Sequence, residues 1–179
     1  MPNHDFQTAG FSVRENGQST FIPYAGLRAF HSDGNLAMLA ITFQSLRGAL
    51  PQLAKRGPAQ RHKLSVTTGH PGSGVRDAFE YVTRAVTRGV YTLDREMTIA
   101  RLNPHADFAY AWVLHDGPNA LLCQLREDIL SPRFFELFGL KKSGALSEAD
   151  VQEFERVKHH IETLALSLDP EDMFQYEEI

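Results

Sequence analysis

The chain has 179 residues, of which 42% are hydrophobic and 22% charged, a length at which a single domain buries roughly 70% of its extended-chain surface without needing disulfides or metal to fold. Eighteen Lys and Arg against 22 Asp and Glu give a net charge of −4, which offers no broad attraction to a phosphate backbone and argues against nucleic acid as a partner. Cys123 is the single cysteine, which excludes an internal disulfide framework, a CxxC redox pair and an all-cysteine zinc site, so any metal must take nitrogen or oxygen ligands.

The opening MPNHDFQTAG has no basic region followed by an apolar run, and no later segment is apolar for long enough to cross a bilayer, so a cytoplasmic location away from membrane is the default expectation. Residues 1–30 are divided by Gly10, Asn16, Gly17, Pro23 and Gly26 and read as an extended N-terminal arm with little regular structure. From residue 31 to 179 the chain reads as one α+β domain, a central antiparallel or mixed sheet with helices packed on it and a helical C-terminal tail.

Leu36, Leu39, Ala40, Phe43 and Leu46 recur at helical spacing, and Met38 and Ile41 widen the stripe, so this helix is expected to be buried on more than one side. Ser32 or Asp33 can cap its start, and Gly48 with Pro51 marks its expected end. After the basic, turn-rich stretch from Ala54 to Lys63, LSVTT at 64–68 reads as a short strand that runs into Gly69, His70, Pro71, Gly72, Ser73 and Gly74. Val75, Ala78, Phe79, Val82 and Val86 then return to helical spacing.

Val90 to Leu93, Met97 to Leu102, Phe108 to Leu114 and Ala120 to Leu125 are the strand candidates of the middle region. Ser131 and Pro132 cap and start a short helix in which Phe134, Phe135, Leu137 and Phe138 are too apolar to stand exposed. That cluster implies either an aromatic core or a subunit contact, and a homodimer is the natural expectation. Ser147 and Asp150 form a capping box for a long amphipathic helix, whose apolar face is read as Val151, Phe154, Val157, Ile161, Leu164 and Leu168, with Glu155, Lys158, His159 and Glu162 outside it. Asp169 and Pro170 start a last short turn.

Chemistry-bearing residues gather before two helices. His31 and Asp33 precede the first, and His70 with the glycine-rich stretch precedes the next; helix starts favour anionic ligands through their free N–H groups. If the two helices pack with these ends together, His31, His70 and Asp33 offer two imidazoles and a carboxylate, a donor set for a divalent metal, zinc above all. Asn35, Gly72, Ser73, Gly74 and Arg76 would then hold an anionic ligand or substrate, Arg76 through its planar fork of donors. Cys123, in an apolar run, is expected to be buried and inert.

Taken together, His31 before an apolar helix, the Thr68-Gly69-His70 turn after a strand, and the tail from Leu168 through Asp169, Pro170, Glu171, Asp172 and Met173 to Phe174 resemble the FmdE-like family, named after a component of formylmethanofuran dehydrogenase. The likeness spans roughly Tyr24 to Phe174. It implies an α+β homodimer with a divalent metal, usually zinc, at the motif residues. His31 stands at the leading histidine of that family, Asp33 where a second histidine is usual, Asn35 where a cysteine is usual, and His70 in place of the cysteine of a Thr-Gly-Cys motif. The loss of both thiolates makes the implied site harder and admits iron, manganese or nickel beside zinc. The expectation is a metal-binding protein with metal-assisted chemistry on a small carbonyl or carboxylate compound. Its alternative is a non-enzymatic, homodimeric accessory protein that binds a small anion.

Overall fold

The computed structural model describes residues 9–31, 34–54 and 59–179. The expected caps Ser32 and Asp33, and the middle of the basic turn at 55–58, lie outside the described residues.

The start of the chain is more ordered than an extended arm. β1 (Gly10–Glu15) and β2 (Gln18–Pro23) form an antiparallel hairpin in which Glu15 faces Gln18. The connecting Asn16 and Gly17 both have positive φ, 51° and 81°, the backbone of the two-residue turn whose twist matches that of paired strands. α1 (Tyr24–Phe30) follows directly.

α2 (Leu36–Leu53) is the central helix, buried on nearly every side as its broad apolar pattern predicts. It continues through Gly48 and Pro51 because Leu50 and Leu53 are both in the core and a proline so near the last turn disturbs little of the helix that follows it. Its N-cap is Asn35. Burying such a helix obliges its polar side chains to find partners. Gln44 donates to the carbonyls of Ala165 and Leu168 at 2.8 Å each, and Ser45 Oγ accepts from the Trp112 indole at 2.8 Å.

The sheet has the order β4-β3-β5-β6-β7 and is mixed. β3 (Leu64–Thr68) runs parallel to β4 (Tyr91–Leu93) and antiparallel to β5 (Ala111–Asp116), which pairs with β6 (Asn119–Leu125), which pairs with β7 (Phe174–Glu178). Val66, Leu114 and Leu121 align across three strands and are buried, as alternation on one covered face requires. α3 (Ser73–Thr83) also packs on α2. The α+β plan therefore stands, with a mixed sheet and helices packed on it.

One strand expectation and the expected helical tail change. Met97 to Leu102 forms no strand: Ala100 has φ 52°, and Arg101 Nε donates back to the Met97 carbonyl at 3.0 Å. The tail after Met173 is β7, where Phe174 and Tyr176 alternate with Gln175 and Glu177. Phe174 is buried against Trp112, with ring centroids 5.6 Å apart, which is why the segment joins the sheet.

α4 (Pro132–Ser143) and α5 (Glu148–Ser167) start at the caps read from the sequence, Ser131 and the Ser147–Asp150 box. The buried face of α5 differs from the expected one: it runs Phe154, Lys158, Ile161, Glu162 and Ala165, and leaves Val151 exposed. Two charged residues thus turn inward, and each is paired. Glu162 Oε1 accepts from the Tyr24 hydroxyl and from Arg28 Nε, both at 2.8 Å, which fastens α1 to α5. Phe134 and Phe135 are likewise buried within the chain, so this part of the aromatic cluster belongs to the chain's own core. Among the described residues no helix is long and apolar enough to cross a membrane.

Candidate functional site

β3 ends at buried Thr68, and the chain turns through Gly69, His70, Pro71 and Gly72 into α3. The turn is held from within. His70 N donates to Thr68 Oγ1 at 3.1 Å, and Gly72 N donates to His70 Nδ1 at 3.0 Å. Gly72 has to be glycine, since a Cβ there would stand 2.6 Å from His70 Cε1. Gly74 serves packing too: a Cβ on it would lie 3.0 Å from both the Asn35 carbonyl and the Leu39 nitrogen. The starts of α2 and α3 are therefore in contact, as a shared site requires. Gly74 makes that approach possible.

The imidazole of His70 is packed edge-on to Phe108 and Tyr110, with centroids 4.6 and 5.0 Å away. Burial drives its pKa from 6.5 down to about 3, so the ring is neutral at physiological pH. Because Nδ1 accepts the Gly72 N–H, the ring proton resides on Nε2. His70 is thus a hydrogen-bond donor through Nε2. To ligate a metal through that atom it would have to move the proton to Nδ1, opposite another N–H.

His31 has the opposite arrangement. Its side chain is 0% exposed, and Nδ1 lies 2.8 Å from Asp77 Oδ2 in α3. A carboxylate accepts, so Nδ1 carries a proton and donates it to Asp77. Among the described residues, Nε2 is buried without a hydrogen-bond partner. Asp77, which the sequence pattern did not single out, is thus what orients His31; it falls one helical turn after Ser73 on the α3 face beside Asn35 and Leu39, a pairing no local pattern announces.

Among the described residues no group of three His, Cys, Asp or Glu side chains is placed to hold a metal, and Asp33 lies outside them. Arg76 is 53% exposed and 3.8 Å from its neighbour Asp77, and neither it nor Ser73 nor Gly74 lines the cavity described next.

That cavity, about 410 Å³, opens between α2, the His70 turn, α4 and α5. Six rings line it, those of His70, Phe108, Tyr110, Phe134, Phe138 and Phe154, together with Met38, Asn35, Pro71 and Gly72. Of the anion-binding residues expected from sequence, Asn35 and Gly72 are here. The charges come from elsewhere: Lys141, Lys142 and Lys158 line the cavity, and among the described residues no carboxylate does. Lys142 Nζ donates to the His105 carbonyl at 3.0 Å. Lys158 is only 7% exposed, lies 5.1 Å from the Phe154 ring centre and pairs with Glu155 at 2.6 Å. Tyr110 keeps its hydroxyl proton, since burial pushes its pKa up to about 12. Cys123 is buried elsewhere in the core, with its thiol pushed up to about 12 by burial.

Lys158 escapes a reading that draws the apolar face of α5 through Val157. The available signal was the four-residue spacing of Phe154 and Lys158, which puts a cation and a ring on one helical stripe.

No protein-family model matches the chain, and no curated protein is similar to it in sequence.

Proposed function

We propose that this protein binds a small organic anion with an apolar, ring-sized body in the aromatic cavity beside His70. The observation that carries the reading is the lining itself: six rings and three lysines with no carboxylate among the described residues, on a chain whose net charge is −4. A cavity of about 410 Å³ is within the size range of small-molecule sites, which are mostly apolar with a few placed polar groups. The rings supply the burial that holds the ligand body. The lysines favour a negative head group, and His70 Nε2–H adds a neutral donor. This supports a binding role and requires no metal.

Calorimetric titration with phenylbutyrate and with its neutral counterpart phenylbutanol tests it. Lys158→Met is expected to weaken the acid by about tenfold, the value of a charge-assisted hydrogen bond, and to leave the alcohol within about twofold. Failure of both compounds to bind at millimolar concentration would overturn the reading.

One observation favours a second reading. His31, oriented by Asp77 and with no partner at Nε2 among the described residues, is held as metal-bound histidines are held by their carboxylate partners. The metal centre expected from sequence would need further donors, Asp33 among them. Elemental analysis decides between the two: one equivalent of zinc or another divalent metal, lost in His31→Ala, would establish the metal centre.

A further inference from the structure

Lys158 lies on the inward stripe of α5 with Phe154, and the two line the cavity together. A buried ammonium is costly unless paired. Among the described residues its ion pair is with Glu155, three positions earlier on the same helix, at 2.6 Å. Glu155 is not part of the lining, and its side chain is 59% exposed. The pair abuts the start of α2: a Cβ on Gly34 would lie 3.8 Å from Glu155 Oε2 and 4.0 Å from Lys158 Nζ. Gly34 adjoins Asn35, which does line the cavity. An exposed carboxylate thus reaches from outside onto a cation of a cavity that, among the described residues, has no acid in its lining.

Resting on the cavity reading above, we infer that Glu155 is an internal stand-in for the ligand's carboxylate: the ligand is a monocarboxylic acid with an apolar body, and its head group displaces Glu155 from Lys158. The exchange is chemically matched, one carboxylate for another on the same ammonium, so no unpaired charge is left in the wall. Displaced Glu155 is rehydrated at little cost because it already faces water. Its tether on the adjacent helical turn keeps its effective concentration at Lys158 high, so it lowers the affinity for every anionic ligand and leaves neutral ligands untouched. Glu155 therefore sets how strongly acids are preferred over their neutral analogues.

The test is calorimetry of the full chain with phenylbutyrate and phenylbutanol, comparing wild type, Glu155→Gln and Lys158→Met. Glu155→Gln is expected to tighten phenylbutyrate by about three- to fivefold, the range of a modest ion pair, with phenylbutanol unchanged. Lys158→Met is expected to remove the preference for the acid whether or not residue 155 is also changed. If Lys158→Met weakens the acid but Glu155→Gln leaves it unaltered, or tightens acid and alcohol alike, the competition is refuted while the cavity reading stands. If neither compound binds wild type or variants, the cavity reading fails and this inference falls with it.

Discussion

The turns that carry His31 and His70 look alike in sequence, each setting an imidazole just ahead of an apolar helix. Folded, they are opposites. His31 donates Nδ1–H to Asp77, and its buried Nε2 has no hydrogen-bond partner among the described residues; His70 accepts Gly72 N–H at Nδ1 and is left with a donor. One ring spends an N–H on a carboxylate, and the other accepts a backbone N–H. The lesson is that two histidines with the same local setting are not interchangeable members of one ligand set, because the partner at Nδ1 decides what Nε2 offers.

The largest effect that sharpens this comparison is acid sensitivity. His70's folded pKa of about 3 lies below its ordinary 6.5, so the unfolded chain takes up a proton that the folded chain refuses. The stability His70 contributes is complete above pH 6.5 and is lost as pH falls from 6.5 toward 3, at about 1.4 kcal/mol per unit. Urea unfolding should therefore show wild type losing about 2 kcal/mol more than His70→Gln between neutral pH and about pH 5. Equal losses in the two proteins would contradict the buried neutral ring.

Next in size is Gly72→Ala, whose new methyl meets the His70 ring and should cost roughly 1.5 kcal/mol by overpacking. The same unfolding measurement checks it, and a change below about 0.5 kcal/mol would show that the ring moves aside freely. Smallest is Asp77→Ala, which leaves the buried His31 Nδ1–H without its acceptor and should cost about 1 kcal/mol. Nitrogen NMR of the imidazoles reads the comparison directly: His31 protonated at Nδ1, His70 at Nε2, and only the His31 signals displaced by Asp77→Ala.

Much of the framework was legible because it depends on short-range physics. The caps at Ser131 and the Ser147–Asp150 box, the strand at 64–68 and the burial of α2 all follow from patterns within a few residues. The Asn16–Gly17 hairpin and the Phe174–Tyr176 alternation are equally local, and reading those segments as an extended arm and a helical tail passes over them. The inward turn of Glu162 is not readable in that way. A charged residue joins a buried face only when another group supplies its partner, as Tyr24 and Arg28 do for Glu162 across 138 and 134 positions.

The candidate site divides along the same line. Sequence alone identified the two turns, His31, His70, Asn35 and Gly72, and the α+β plan that brings the helix starts together. Tertiary structure alone decided which nitrogen of each ring is free, that Gly74 serves helix contact, and that the cations come from α4 and α5 instead of Arg76. Periodicity and capping act through neighbouring backbone groups, whereas a tautomer, a buried ammonium and a cavity are properties of atoms brought together from distant parts of the chain, as with His31 and Asp77, 46 positions apart.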